Sequence, residues 1–352
     1  MNNCIAIVGC GRIAQEHLHA MEQMEGIRVK YACDLIKEKA RRAVESYSFV
    51  ENAVTDYTLV LKDPEVQAVW VLTPNYAHYT VTMDALRAGK HVFCEKPITV
   101  NYALSCEMAR EANQRGLMLN IGVCNRYNAA VEQLAQLNRQ GKLGNIYHVY
   151  CSFRSPRAIP GLGGAFTTKS QSGGGVLIDW GVHFLDLILY VLGGAKIKNV
   201  TCDAYCEMAK DMKSYKYKDM WAQDSADIEN GTNDVEDLIS GYVRTDKASI
   251  SFNGAWAQNV DKREMFVDFL GDKGGARLKY GSQFILFDPD TLESTESQIE
   301  IGNMYLREDR AFLQSCQDGV KTKSHIDNVL ESAKLLDVLY RSAQLKKEVE
   351  CQ

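Results

Sequence analysis

Cys4-Ile5-Ala6-Ile7-Val8-Gly9-Cys10-Gly11-Arg12-Ile13-Ala14 is the stretch from which the fold is read. A short apolar run ends in a glycine turn, and the turn opens a stretch of helical character from Arg12 to Met24. Gly9-x-Gly11-x-x-Ala14, placed after a strand and ahead of a helix, is the form a dinucleotide-binding turn takes. Gly9 permits the tight turn, Gly11 lets the backbone approach a pyrophosphate, and Ala14 lets helix and strand pack closely. The first N–H groups of the helix, around Arg12 and Ile13, have no partner within the helix and are offered to the anion. Asp34 closes the next apolar run, Ile27 to Cys33. A carboxylate there accepts hydrogen bonds from ribose hydroxyls and repels a 2′-phosphate. The expected cofactor is therefore NAD rather than NADP.

Working outward, strand and helix alternate. A polar helical stretch lies around Lys37 to Tyr47, a strand at Val66 to Leu72 and a helix at Tyr76 to Ala88. A strand at His91 to Cys94, a helix at Ala103 to Arg115 and a strand at Met118 to Val123 follow. Such alternation gives a parallel, doubly wound sheet. Two loops, Thr73-Pro74-Asn75-Tyr76-Ala77-His78 and Cys94-Glu95-Lys96-Pro97, fall at carboxyl ends of strands, where ligands of open α/β sheets bind. Lys96 precedes a proline and is held out of the helical region, which fixes its direction.

From about Asn125 the pattern changes. Alternating stretches recur at Ile146 to Phe153, Lys198 to Cys206, Leu238 to Arg244, Ser249 to Trp256, Glu264 to Leu270, Ala276 to Tyr280 and Phe284 to Phe287. Hairpin-like breaks separate several of them, as a mostly antiparallel sheet requires. The expected fold is α/β: an N-terminal Rossmann domain over residues 1–124, then an α+β domain with a large, mostly antiparallel sheet over 125–352. The C-terminal helices, marked by Val329, Ala333, Leu336, Tyr340 and Ala343 at helical spacing, are expected to pack back towards the first domain. Residues 208–237, polar and mixed in charge, read as a long loop or insertion.

The second domain's most unusual stretch is Ser172 to Gly194, SGGGVLIDWGVHFLDLILYVLGG. Between glycines, Val176 to Leu192 reads as one apolar helix whose ionisable residues are Asp179, His183 and Asp186. At about 100° per residue these share one stripe. Lone buried ionisable groups are costly, so two acids and a histidine on one face, led in by a flexible glycine run, point to a functional face. The run is shorter than a membrane span needs and carries charges, so it is not expected to cross one.

Bulk composition narrows the classes. The net charge of −5 disfavours a nucleic-acid partner. Eleven cysteines are scattered with no CxxC pair, and no metal-ligand cluster is visible. Reduced thiols and the lack of a basic, apolar leader at the N-terminus suggest a cytoplasmic protein.

Taken in order, GCGRIA, TPNYAH, AGKHVFCEKP and GGGVLIDWGVHFLD resemble the motifs of the Gfo/Idh/MocA oxidoreductase family, and the likeness runs along essentially the whole chain. The resemblance implies an NAD-dependent dehydrogenase acting on a secondary hydroxyl of a sugar, a cyclitol of the inositol type or a glycoside. It leaves open a glycoside 3-oxidation with tightly retained NAD as a step in glycoside cleavage, and an NAD-binding regulator without turnover. In that family the lysine of E-K-P and the acid and histidine of D-x-G-x-H form the catalytic set, here Lys96, Asp179 and His183. Histidine suits the role of base, since its ordinary pKa is about 6.5. Lysine suits that of a donor to a developing alkoxide. The resemblance also places Asn75 and His78, with Thr73 and Glu95 of the same loops, at the cofactor. It places Arg126, Arg154 and Lys169 near the substrate, and a homo-oligomer, dimer or tetramer, is expected through the second domain's sheet.

Overall fold

The structure, a computed structural model, describes residues 3–99, 101–218, 221–281 and 283–351. The chain forms two compact units, Met1–Tyr127 with Asn303–Leu330 and Asn128–Gly302 with Glu331–Gln352.

In the first unit, β1 (Asn3–Val8), β2 (Ile27–Cys33), β3 (Val50–Val54), β4 (Ala68–Val71), β5 (His91–Glu95) and β6 (Leu119–Gly122) form one sheet. Their order is β3-β2-β1-β4-β5-β6, and every pairing is parallel. Strands of such a sheet are covered on both faces, so β1 and β4 are apolar runs rather than alternating ones. The strand order reverses between β1 and β4, which puts the crevice of the sheet at the end of β1. β3 and the helix Tyr57–Lys62 were not legible in the sequence. Each is five or six residues long, too short for a period to declare itself, and β3 buries little besides Val50.

The helix Met304–Asp318 belongs to this unit, although the sequence division at residue 124 puts it on the other side. Phe312 and Leu313 join the same core as Trp70 and Phe93. Its inward face also carries Glu308 and Asp309, both fully buried, and these break the apolar stripe by which a helix is read.

The second unit is built on β7 (Ile146–Arg154), β8 (Ile197–Tyr205), β9 (Leu238–Thr245), β10 (Ser249–Ala255), β11 (Glu264–Gly271), β12 (Gly275–Lys279), β13 (Gln283–Phe287), β14 (Ser294–Gln298) and β15 (Val349–Glu350). They run in the order β14-β13-β12-β11-β7-β10-β9-β8-β15. All neighbours are antiparallel except β7 and β10. Val149, Val243 and Ile250 from the sheet share a core with Leu134, Leu185, Ile188 and Leu339 from helices.

The apolar run of this unit is not one uniform helix. Leu177–Gly181 forms a wide π-helical turn, and the α-helix proper is Val182–Val191. The expected single polar stripe is therefore broken. Asp186 is buried and accepts a hydrogen bond from the Ser332 hydroxyl at 2.6 Å, which makes it a core acid. Asp179 is buried and His183 half-buried. Counted from the short helix Lys169–Ser172 that precedes the glycine run, the apolar segment spans residues 169–191. It is long and apolar enough to cross a membrane, yet 83% of its most apolar window is buried inside the protein, as befits a core helix.

The glycine run ahead of it is packed rather than flexible. A Cβ on Gly174 would lie 2.0 Å from the Tyr340 hydroxyl oxygen, and one on Gly175 2.0 Å from the Glu236 carbonyl oxygen. Glycine is needed there for close approach. Gly181 serves the same end, since its Cβ would press on Leu177 and on Phe153, which stacks with Phe184 at 5.0 Å. Residues 208–237, read as a loop, are indeed irregular, and residues 219 and 220 lie outside the described residues. The segment is pinned: Asp237 accepts from the backbone N–H groups of Glu207 and Met208, and Ala209, Tyr215 and Val235 join the core.

Gly175→Ala is expected to cost about 1–3 kcal/mol by overpacking. Gly275→Ala, whose Cβ would come no nearer than 3.6 Å to any atom, should change stability by less than about 0.5 kcal/mol. Urea denaturation of both variants checks this, and equal stabilities would contradict the close packing.

Candidate active site

The glycine turn sits at the crevice of the first unit. Gly9 has φ +97, and a Cβ there would lie 2.4 Å from the Leu72 carbonyl oxygen. Only glycine tolerates both conditions. Gly11 caps the helix Arg12–Met21 from extended backbone, and a Cβ there would meet nothing within 4 Å. The helix start is thus open to approach, with Arg12 exposed and Ile13 half-buried in its first turn. Asp34 stands beside it. Its Oδ2 accepts from the Cys10 N–H and its Oδ1 from the Ile36 N–H, both at 2.8 Å. Each oxygen keeps a further lone pair for a hydroxyl donor. An open helix N-terminus with an acid at the end of the next strand fits a dinucleotide: pyrophosphate on the N–H groups, ribose on Asp34.

The two loops beyond are organised differently from their sequence reading. Thr73 and Asn75 are half-buried. His78, expected to face the cofactor, is buried with its Nδ1 at 2.7 Å from the Pro97 carbonyl oxygen and its Nε2 at 2.9 Å from that of Thr73. It ties the two loops together, and burial outweighs the carbonyls in holding its pKa below the usual value.

Glu95, also expected at the cofactor, turns inward and is buried. Its Oε2 accepts the Lys96 N–H at 2.9 Å, and its Oε1 lies 3.2 Å from His17 Nε2. His17 Nδ1 in turn meets both oxygens of Asp309, at 3.0 and 3.1 Å. Asp309 accepts a further bond from the Trp70 indole N–H at 2.9 Å. Burial alone would depress the His17 pKa, but the charge and hydrogen bonds of Asp309 and Glu95 prevail and push it up to about 10. Glu308 beside them is driven well above the carboxylate range, chiefly by burial and then by the charge of Glu95. Lys96 itself is half-buried, and the Lys96–Pro97 peptide is cis.

In the second unit the stretch carrying Asp179 and His183 is capped by one residue. Glu236 Oε2 accepts from the Gly175 N–H at 2.9 Å and its Oε1 from that of Leu177 at 3.0 Å, while its carbonyl takes that of Val176 at 3.0 Å. These are N–H groups that a helix start leaves without partners. The Tyr340 hydroxyl donates to Glu236 Oε1 at 2.8 Å. Burial raises the Glu236 pKa against these bonds.

Three cations expected near the substrate have other surroundings. Arg126 is buried in the first unit and donates to the carbonyls of Lys323 and Asn328. Arg154 pairs with Glu264 across β7 and β11. Lys169 is exposed at the start of the helix Lys169–Ser172. His17, Asp309 and Glu236 escaped the sequence reading, and Tyr340 was read there only as a packing position of the C-terminal helix. The one local signal was His17, a polar residue on the same buried face as Ala14, Leu18 and Met21.

Comparison with known proteins bears on the whole chain. The family model described as "Oxidoreductase family, NAD-binding Rossmann fold" matches residues 4–123, and that of the "GFO/IDH/MocA C-terminal domain" matches residues 131–277. A D-glucoside 3-dehydrogenase of Escherichia coli (strain K12) is 28% identical over 349 residues, covering 98% of this chain and 97% of that protein. An inositol 2-dehydrogenase of Salmonella paratyphi B is 32% identical over 157 residues, covering 44% of this chain and 46% of the other. A levoglucosan dehydrogenase solved with NADH and levoglucosan superposes with a TM-score of 0.87 at 19% identity, covering 100% of both chains, and so shares the fold.

The His17 cation gives a signed pH dependence. Its folded pKa of about 10 lies above the ordinary 6.5, so its contribution to stability is fully present below about pH 6.5 and is lost as pH rises through about 10. The stability difference between the protein and its His17→Gln variant should therefore shrink over that window in urea titrations. A difference that stays constant would show that His17 is not held protonated.

Proposed function

The chain belongs to the Gfo/Idh/MocA family of NAD-binding oxidoreductases, and on that premise we propose that it oxidises a secondary hydroxyl of a D-glucoside, the hydroxyl at carbon 3 first among them. The observation that carries the substrate class is the match to a D-glucoside 3-dehydrogenase over 349 residues, through both units, where the inositol 2-dehydrogenase matches over 157. NAD, when bound, supplies the acceptor for the hydride that leaves the carbinol carbon. Oxidation also releases the hydroxyl proton, and His183 takes it. Lys96 donates to the alcohol oxygen and stabilises the alkoxide as it develops. Asp179 binds a neighbouring hydroxyl or orients the His183 imidazole. Gly9, Gly11, the N–H groups at Arg12 and Ile13, and Asp34 hold the dinucleotide, with Thr73 and Asn75 at its edge. Leu35 and Ile36, both exposed apolar residues next to Asp34, offer an apolar shelf beside it.

Two coarser features join this reading. The eleven cysteines are free thiols, which suits a reducing, cytoplasmic compartment. The open face of the second unit's sheet carries Tyr150 half-exposed in register with Ser251 and Tyr242, and a second copy of the chain is the proposed occupant. Light scattering behind size exclusion reads this, and a monomer at micromolar concentration would contradict it.

A panel of methyl glucosides, free aldoses and inositols incubated with NAD tests the substrate class. Glucosides should reduce it fastest, and reduction by inositols alone would overturn the choice. Asp34→Ser with Leu35→Arg should weaken NAD and improve NADP, because a repulsion goes and a phosphate partner arrives. An unchanged cofactor preference would remove Asp34 from the ribose. Lys96→Ala should lower kcat by roughly 10²–10³-fold. His183→Asn should lower it by roughly 10²–10⁴-fold, with NAD still bound. A less stable but catalytically normal His183 variant would return that residue to a packing role.

A further inference from the structure

The first unit buries a chain of acid, base and acid for which the reaction itself has no use. It starts at Asp309, which the Trp70 indole N–H holds at 2.9 Å. It crosses the His17 ring, which Phe93 and Tyr305 flank edge-on with centroids at 5.1 and 5.2 Å. It ends at Glu95, 3.2 Å from His17 Nε2. His17 and Asp309 are fully buried, and Glu95 nearly so. Buried ion pairs are weak sources of stability, since well-packed apolar residues of similar volume often serve as well or better. The chain of contacts therefore calls for a purpose other than holding the core.

Its far end supplies one. Glu95 Oε2 accepts the backbone N–H of Lys96 at 2.9 Å. Glu95 is backed by Gly122, where a Cβ would come within 2.5 Å of Oε1, so the carboxylate has a wall behind it. On the other side of Lys96 the Pro97 carbonyl accepts from the buried His78 at 2.7 Å. The backbone that bears Lys96 is thus gripped from both sides by buried histidines, one acting through Glu95 and one directly. A lysine side chain is long and flexible, so the placing of its ammonium group depends on how firmly its backbone is fixed.

We propose that Asp309, His17 and Glu95, with His78 opposite, are positioning residues that fix the Lys96 backbone and so aim its ammonium group at the substrate hydroxyl. The inference rests on the reading of Lys96 as the donor to that hydroxyl. None of the four touches substrate in this scheme, and their effect on the reaction passes through Lys96.

The test uses the full chain with NAD and a glucoside that it turns over. Glu95→Ala removes the acceptor for the Lys96 N–H. It should lower kcat by roughly 10–100-fold, the scale of a misplaced catalytic group, with NAD affinity and the KM for the glucoside little changed. Glu95→Gln keeps an acceptor oxygen and should restore most of the loss. Trp70→Phe, a milder change that frees Asp309 from one donor, keeps the assay open if Glu95→Ala folds poorly. It should lower kcat by a smaller factor in the same direction. The decisive comparison repeats these changes in a Lys96→Ala background, where they should cost nothing further. If Lys96→Ala is slow and the brace variants slow it again by their full factor, or if they leave kcat unchanged in the presence of Lys96, the positioning role is wrong while the donor role of Lys96 stands. If Lys96→Ala keeps normal kcat, the donor reading and the brace built on it both fall.

Discussion

A carboxylate taken out of water must be met by donors, and in each unit of this protein one buried glutamate meets that need with the backbone beside the candidate chemistry. Glu95 accepts the N–H of Lys96, and Glu236 accepts those of Gly175 and Leu177 at the start of the stretch carrying Asp179 and His183. The partners that hold these glutamates are fully buried in the first unit and partly buried in the second. His17 and Asp309 stand behind the first, and Tyr340 behind the second. Burying such groups costs more than exposing them, so each must be fully matched to be tolerated. The same matching makes the attached backbone rigid, which is what a catalytic group on a loop or a helix start requires.

The glycines follow from this arrangement as much as from turn geometry. Gly122 makes room for Glu95, Gly174 for Tyr340 and Gly175 for the Glu236 backbone. Gly9 combines a left-handed conformation with close approach to the Leu72 backbone, at the turn where strand order reverses. A run of glycines before an apolar helix looks like a hinge in the sequence. In the folded chain it is a packing surface.

What the sequence revealed was local. The GxGxxA turn, Asp34 at the end of β2 and the alternation of the first unit are short-range patterns, and each lies where its reading put it. The side chains behind Glu95 lie far away in the chain. His17 and Asp309 are 292 residues apart, and Glu95 reaches His17 across 78. No periodicity records such pairs, so Glu95 was read as a loop residue open to a ligand when it is buried; His78 is buried too, on carbonyls only 5 and 19 residues away. The wide turn at Leu177–Gly181 was hidden for a related reason. A stripe drawn at a constant angle per residue assumes a uniform helix, and this one changes pitch between Asp179 and His183.

The substrate rests on chemistry that neither unit's architecture dictates, because one fold serves many related hydroxyl oxidations. A methyl D-glucoside carrying deuterium on carbon 3, supplied with NAD, puts the matter to a direct measurement: the mass of the reduced cofactor. Reduced cofactor that has gained the deuterium is the expected result, since in the proposed reaction the hydride leaves that carbon. Reduced cofactor without deuterium, or no reduction by any glucoside, would contradict oxidation at that position.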